Sequence, residues 1–358
     1  MLPSSEYVFR RSGRVCKNRS LLAAMTNKQS FDDGNLSDDE ITWLSRRAKD
    51  GFGIITTAAS HVSENGQGWF GEMGVWNDSH IPGLRDLANK LRENGAISLV
   101  QIFHGGMKTP PELIGDVPVC PSEMRNDQGK ITARELNILE IKQLVADFAK
   151  AAKRCELAGF DGVEIHGAHS YLISQFLGKK TNQRKDEYGG SIENRFRFLR
   201  EIIESVRTVV RDDFLISVRI SPIINAIGIE MDDSIQVTKM ICAMGIDIFH
   251  LSCWDVFEDI GEGENLTKLF KKHVPENIAY ASTGSVWSSA DARWLMSQGA
   301  DFVGVARVAI AHPDWAKNLH DQSYDPKRPP FSERELKDAD LSPIFIDYMR
   351  NWKGFVSD

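Results

Sequence analysis

With 358 residues, 42% hydrophobic and 26% charged, the chain can bury a large core, and its length fits either one α/β barrel or two average domains. A formal net charge of -7 argues against a nucleic-acid partner, because neutralising phosphates calls for a basic face. The amino-terminal MLPSSEYVFRRSGRV lacks the apolar core of a secretion signal, and no stretch reaches the roughly 18 apolar residues of a membrane span, so a cytoplasmic protein is expected. The five cysteines (Cys16, Cys120, Cys155, Cys242, Cys253) stand far apart with no CxxC pair, which indicates neither a disulfide framework nor a zinc or iron–sulfur site.

In chain order, short apolar runs alternate with longer amphipathic segments. The runs are LLAAM at 21–25, FGIITTAA at 52–59, AISLVQIF at 96–103, DGVEIHG at 161–167, FLISVRIS at 214–221, IDIFHLS at 246–252, IAYASTG at 278–284 and DFVGVAR at 301–307. Between them lie helical patterns such as SDDEITWLSRRAKDG, IPGLRDLANKLRENG and LEIKQLVADFAKAAKRCELAG, several ending in the glycine that suits the turn past a helix. Near-continuous apolar strands separated by helices predict a parallel sheet covered on its outer face.

Eight such units predict a (β/α)₈ TIM barrel over 1–358, one domain with its chemistry at the C-terminal ends of the strands. A doubly wound sheet is the competitor. No GxGxxG follows the first run, however, and the polar residues suited to chemistry fall after at least six strands instead of at one switch point. From His104 to about Glu135 the connection is long enough to be a lid, and its TPPELIGDVPVCPSEM predicts a covering hairpin. From about 322 onward an amphipathic tail ends in FIDYMRNWKGFVSD, with aromatic residues able to dock on the barrel or on a neighbouring subunit.

His166 and His169 come immediately after the fourth run, and as neutral imidazoles each can donate one N–H to a single oxygen, polarising a double bond conjugated to it. Tyr171 follows two residues later, and a tyrosine stays protonated at neutral pH, so it can supply a proton. The same HxxH, joined by His61, His104 or His250, could instead serve a metal-dependent barrel hydrolase. No carboxylate falls at a spacing that completes such a ligand set, so no metal is expected.

The run from Asp161 to Phe198, DGVEIHGAHSYLISQFLGKKTNQRKDEYGGSIENRFRF, resembles the signature of the old yellow enzyme family of flavin-dependent ene reductases. That resemblance spans about residues 8–320. It implies FMN as cofactor, NADPH or NADH as reductant, a small-molecule acceptor with an activated C=C bond, His166 and His169 as the acceptor's anchors and Tyr171 as proton donor. Asn182, Arg184, Asp186, Tyr188, Gly189, Gly190, Ser191, Asn194 and Arg195 match as well and are expected to form a structural loop held by ion pairs.

The resemblance also implies the cofactor contacts. Ala23, Ala24, Met25 and Thr26 are similar to the family's proline-methionine-threonine run along the ring, with alanine in place of the usual proline at position 24. Ala59 would let the ring pack closely, Gln101 would bond its pyrimidine edge, and Arg219 would place a permanent cation beside N1 and O2. The phosphate is expected on the backbone N–H groups of Gly284, Ser285 and Ala306 and on the Arg307 guanidinium, near the last two strands. Ala306 stands where the family usually has glycine. Lys28 stands where one branch carries a substrate-touching tyrosine, and is expected at the substrate edge. The DYMRNW tail resembles a C-terminal arginine finger, which would send Arg350 into a neighbouring copy's active site.

Overall fold

The computed structural model describes residues 2–357. Eight parallel strands close into one barrel: β1 (Ser20–Leu22), β2 (Ile54–His61), β3 (Ile97–Phe103), β4 (Gly162–Gly167), β5 (Leu215–Ile220), β6 (Ile248–Ser252), β7 (Ala279–Thr283) and β8 (Phe302–Val305). Each pairs with its sequence neighbours, and β8 returns to β1. Six of the eight apolar runs contain a whole strand and the runs at 21–25 and 52–59 overlap theirs, and the fold is a (β/α)₈ TIM barrel.

Helices α1 (Asp38–Lys49), α2 (Ile81–Glu93), α3 (Ile138–Ala158), α4 (Ile192–Val209), α5 (Met231–Cys242), α6 (Leu266–Lys271), α7 (Ser289–Ser297) and α8 (Arg307–Ala311) follow the eight strands in turn. Their ends are encoded locally. Asn137 and Glu140 form a reciprocal capping box at the start of α3, and Gly159, with φ of 99°, ends it. The inner stripe of α3 buries Ile141, Leu144, Phe148 and Ala152 and meets α4 through an edge-on contact between Phe148 and Phe198 at 6.3 Å. Truncating either ring would cost about 3–5 kcal/mol, because the packed layer cannot collapse around the lost volume.

Side-chain alternation along the strands sorts the barrel interior into layers. At the N-terminal end a hairpin, Tyr7–Val8 against Val15–Cys16, carries Phe9 into a closed apolar layer with Leu21, Ala23, Ile54, Leu99, Leu215, Ile248, Ala281 and Phe302. Above it lies a polar layer of Gln101, Glu164, Ser217, His250 and Thr283. One step further along β4, β5 and β6 come His166, Arg219 and Ser252, at the mouth.

The long connection after β3 differs from the expected hairpin. It forms a turn at Gly106–Lys108, a short helix at Pro111–Ile114 and a three-stranded patch in which Ile131–Glu135 pairs with both Val119–Cys120 and Met124–Arg125. Arg184 anchors it, donating from Nη1 to the carbonyls of Pro121 at 2.7 Å and Leu136 at 2.6 Å, while its other side meets Asp186. Arg195 pairs with Asp233 on α5, and the Asn182 amide bonds the carbonyls of Phe176 and Tyr188. The sequence's NQRKDEYGGSIENR segment is thus a brace between lid and barrel. No helix among the described residues is long and apolar enough to cross a membrane.

Candidate active site

A cavity of about 340 Å³ opens at the C-terminal end of the barrel, in the size range of small-molecule sites. Of the residues expected to contact a cofactor, Ala24, Met25, Thr26, Arg219, Gly284, Ser285, Ala306 and Arg307 line it, and so does His169. Ala23 does not: it lies fully buried in the apolar layer below, and its N–H is spent on the Val305 carbonyl at 2.9 Å. Ala59 and Gln101 are register partners on β2 and β3, next to a bulge between Thr56 and Ala59, and both are buried under the mouth.

Several donors in the cavity wall have nothing to bond. Arg219, 4% exposed, donates from Nη2 to Ser252 Oγ at 3.0 Å, yet its Nε has no partner and no carboxylate lies in contact with it. Burial lowers its pKa, offset in part by the charge of Glu164 below. Among the described residues the backbone N–H groups of Gly284, Ser285 and Ala306 meet no acceptor, and the exposed Arg307 guanidinium beside them makes no ion pair. Gly284 (φ 154°) and Ser285 (φ 59°) hold left-handed torsions there, and a Cβ on Gly284 would lie 2.8 Å from the Cys253 carbonyl. Ala306 sits at φ -126°, outside the left-handed region that would call for glycine. A buried cation at one end and a cluster of open N–H groups at the other suit a planar acceptor-rich ring carrying a phosphate.

The catalytic candidates converge beside this cavity. The rings of His166 and His169 stand 5.0 Å apart edge to face, His166 and Tyr171 are 5.3 Å apart, and Phe103 packs edge-on against Tyr171 at 4.9 Å. Burial, then the charges of His169 and Arg219, holds His166 well below its ordinary pKa, and its buried Nδ1 has no partner. His169 is lowered to about 3 by burial and then by Arg219 and Lys108, so both imidazoles are neutral. Tyr171 is pushed up to about 12 by burial and by Glu72, and holds its proton at neutral pH. His169 and Ser170 both sit at positive φ, 60° and 64°, strain stored at the turn that aims the pair. Among the described residues no group of three His, Cys, Asp or Glu side chains is arranged to hold a metal ion, so the hydrolase alternative lacks its ligand set.

Other residues at the site carried no sequence signal strong enough to name them. Glu164 is fully buried and accepts from Gln101 Nε2 at 2.7 Å, Ser217 Oγ at 3.0 Å and His250 Nδ1 at 2.7 Å. Burial alone would raise it, but His250, the donor set and Arg219 hold it down at about 2. Burial lowers the His250 pKa, and its ring bridges two groups, with Nδ1 on Glu164 and Nε2 2.6 Å from Thr283 Oγ1. The period of β4, which places Glu164 two residues before His166, was the available clue. From the tail, helix α9 (Pro343–Met349) brings Tyr348 and Met349 to the cavity, followed by Trp352. The Tyr348 hydroxyl meets the Thr26 side chain, and the Lys28 ammonium lies 5.3 Å over the Tyr348 ring. The tail thus docks on its own barrel, and Arg350 ion-pairs with Glu333 of the same tail.

The model of the NADH:flavin oxidoreductase / NADH oxidase family matches residues 13–326. A probable NADH-dependent flavin oxidoreductase of Bacillus subtilis (strain 168) is 34% identical over 314 residues, covering 85% of this chain and 84% of that protein. An NADPH dehydrogenase of Bacillus pumilus (strain SAFR-032) is 32% identical over 315 residues, 87% of this chain and 92% of that one. Of a longer relative, the NADH:fumarate oxidoreductase of Klebsiella pneumoniae (strain 342), 34% identical over 322 residues, the chain spans only 35%. The structure of the old yellow enzyme homologue from Zymomonas mobilis superposes with a TM-score of 0.81 at 24% identity, covering 95% of this chain and 99% of that one, a likeness of fold. A family match across most of the barrel, on a chain whose open donors suit a flavin, places this protein in the old yellow enzyme family of NADH:flavin oxidoreductases, as an NAD(P)H-dependent flavin enzyme that uses FMN.

Proposed function

We propose that the enzyme reduces the activated C=C bond of α,β-unsaturated carbonyl or nitro compounds, with NADPH or NADH as electron source. The observation that carries this reading is the cluster of His166, His169 and Tyr171, two neutral imidazoles and one protonated phenol within 5.3 Å ring to ring, beside the cavity. When bound, the flavin supplies hydride from N5 to the acceptor's far carbon.

The rest falls to this chain's side chains. His166 and His169 donate N–H to the acceptor's oxygen and draw electron density from the double bond, a preorganised electrostatic role. Tyr171 delivers the proton that completes the two-electron, two-proton reduction, and its raised pKa keeps that proton available across neutral pH. Ala24, Met25, Thr26, Ala59 and Gln101 would hold the flavin ring, Arg219 would stabilise negative charge on it, and Gly284, Ser285, Ala306 and Arg307 would take its phosphate. Ala23 contributes beneath them as packing. Lys28 and Tyr348 border the acceptor on the far side.

Anaerobic stopped-flow spectroscopy tests this. The wild-type holoenzyme is expected to lose its flavin absorbance on mixing with NAD(P)H and to regain it on mixing with 2-cyclohexenone. Tyr171→Phe should leave the first phase nearly intact and slow the second by about 10²–10⁴, the range of general acid catalysis. Reoxidation by none of a panel of enones and nitroalkenes would refute the reading.

A further inference from the structure

Four cations stand at the mouth of an otherwise acidic chain: Lys28, Lys108, Arg219 and Arg307. None of them makes an ion pair among the described residues. Arg219 and Arg307 belong to the two ends of the cofactor site. Lys28 and Lys108 remain without an assigned counter-charge.

Both lysines are held by aromatic rings that border the catalytic cluster. Lys108 lies 5.2 Å over the Tyr171 ring and donates from Nζ to the His169 carbonyl at 2.8 Å, leaving two N–H groups free. Lys28 lies 5.3 Å over Tyr348 and makes no hydrogen bond, so all three of its N–H groups are free. Its backbone sits at φ 58°, a left-handed torsion that a residue with a Cβ seldom adopts. Tyr348 and His169 both line the cavity, so the ring under Lys28 and the carbonyl held by Lys108 each belong to a residue of its wall.

The neighbouring carboxyl groups do not neutralise them. Glu72, packed behind Phe103 and Tyr171, is fully buried, bonded to His61 at 2.8 Å, and driven by burial toward its protonated form. Glu164 is enclosed by its own donors in the layer beneath. Two lysines held over rings, with N–H groups and charges that meet no partner among the described residues, suit an anion.

We propose that Lys28 and Lys108 bind an anionic group, a carboxylate or phosphate, carried by the acceptor at the end remote from the oxygen that His166 and His169 hold. This deepens the ene-reductase reading and rests on it. The preferred acceptors are then enones or enals bearing an acid group, and the two lysines set specificity without taking part in hydride or proton transfer.

Steady-state kinetics of the holoenzyme with trans-4-oxo-2-pentenoate and its methyl ester test the idea. The acid is expected to exceed the ester in kcat/KM by about tenfold or more, through KM, and to lose that margin as salt rises. Lys28→Met and Lys108→Met should each shrink the margin, the double variant should abolish it, and Lys28→Arg should retain it. Calorimetry gives a reading independent of turnover: the saturated acid 4-oxopentanoate should bind oxidised holoenzyme more tightly than its methyl ester, and less so in the variants.

Equal use of acid and ester by the wild type, or a margin untouched by both methionine variants, overturns the proposal. So does a selective rise in KM for NADPH over NADH with the acid-to-ester ratio unchanged, since the lysines would then hold the reductant's phosphate. Turnover of the ester and of 2-cyclohexenone without acid preference removes this proposal alone, whereas failure of all three acceptors removes the ene-reductase reading with it.

Discussion

His169 Nε2 and Ser252 Oγ stand 2.9 Å apart, and the same oxygen accepts a hydrogen bond from Arg219 at 3.0 Å. One hydroxyl on the last residue of β6 therefore links the His169 imidazole to the buried guanidinium, and fixes the orientation of both. Ser252→Ala is expected to leave the buried Arg219 guanidinium and the His169 imidazole short of a partner, which costs about 1–3 kcal/mol. The measurable outcome is a weaker FMN complex together with a KM for 2-cyclohexenone raised by about tenfold or more. Unchanged FMN affinity and KM would remove Ser252 from the site's support.

The pH profile follows from the neutral histidines. His169 is lowered to about 3 and His166 lies well below its ordinary value, both chiefly by burial, so the pair gains charge only on the acid side of the working range. Tyr171, near 12, loses its proton only on the far alkaline side. For a neutral acceptor, the rate of flavin reoxidation should stay flat between about pH 5 and 9, in contrast to the bell that ordinary histidine and tyrosine values would give. A titration near pH 6.5 that vanishes in His166→Ala would contradict this assignment.

Glu164 links stability to pH. Its folded-state pKa is depressed from 4.5 to about 2, so the unfolded chain takes up a proton first as pH falls, and stability present above about pH 4.5 is lost on approaching pH 2. In urea unfolding, Glu164→Gln should lower stability at pH 7 and flatten the acid decline between pH 4.5 and 2. An acid slope equal to that of the wild type would assign the loss to other carboxylates.

Gly304 is the tightest point of the barrel wall. A Cβ there would fall 1.7 Å from Thr283 Oγ1, the hydroxyl that serves His250 Nε2. Gly304→Ala should therefore displace Thr283, disturb the Glu164–His250 pair and destabilise the fold by more than the 1–3 kcal/mol of ordinary overpacking, roughly, as read by thermal unfolding. A Tm within about 2 °C of wild type would mean that the strand moves aside freely.

Much of this molecule is written locally. Each of the eight apolar runs contains or overlaps a barrel strand because a strand buried on both faces needs only its own residues to be apolar, and Asn137 or Gly159 mark helix ends through torsions and caps set within four residues. That His166, His169 and Tyr171 lie together follows for the same reason: one strand end and one turn deliver all three. Ala23 was misplaced because the same alternation that points Ala24 into the cavity sends Ala23 into the apolar layer.

The sequence by itself determined the barrel and the place of its eight strands, consequences of short-range periodicity. Only the tertiary structure decided that Tyr348 and Trp352 cover the cavity from the chain's own tail, that Ser252 joins His169 to Arg219, and that Lys28 and Lys108 are left without counter-charges. Those relationships connect residues up to about 320 positions apart, from Lys28 to Tyr348, and closure of the barrel is what brings such distant segments to one rim.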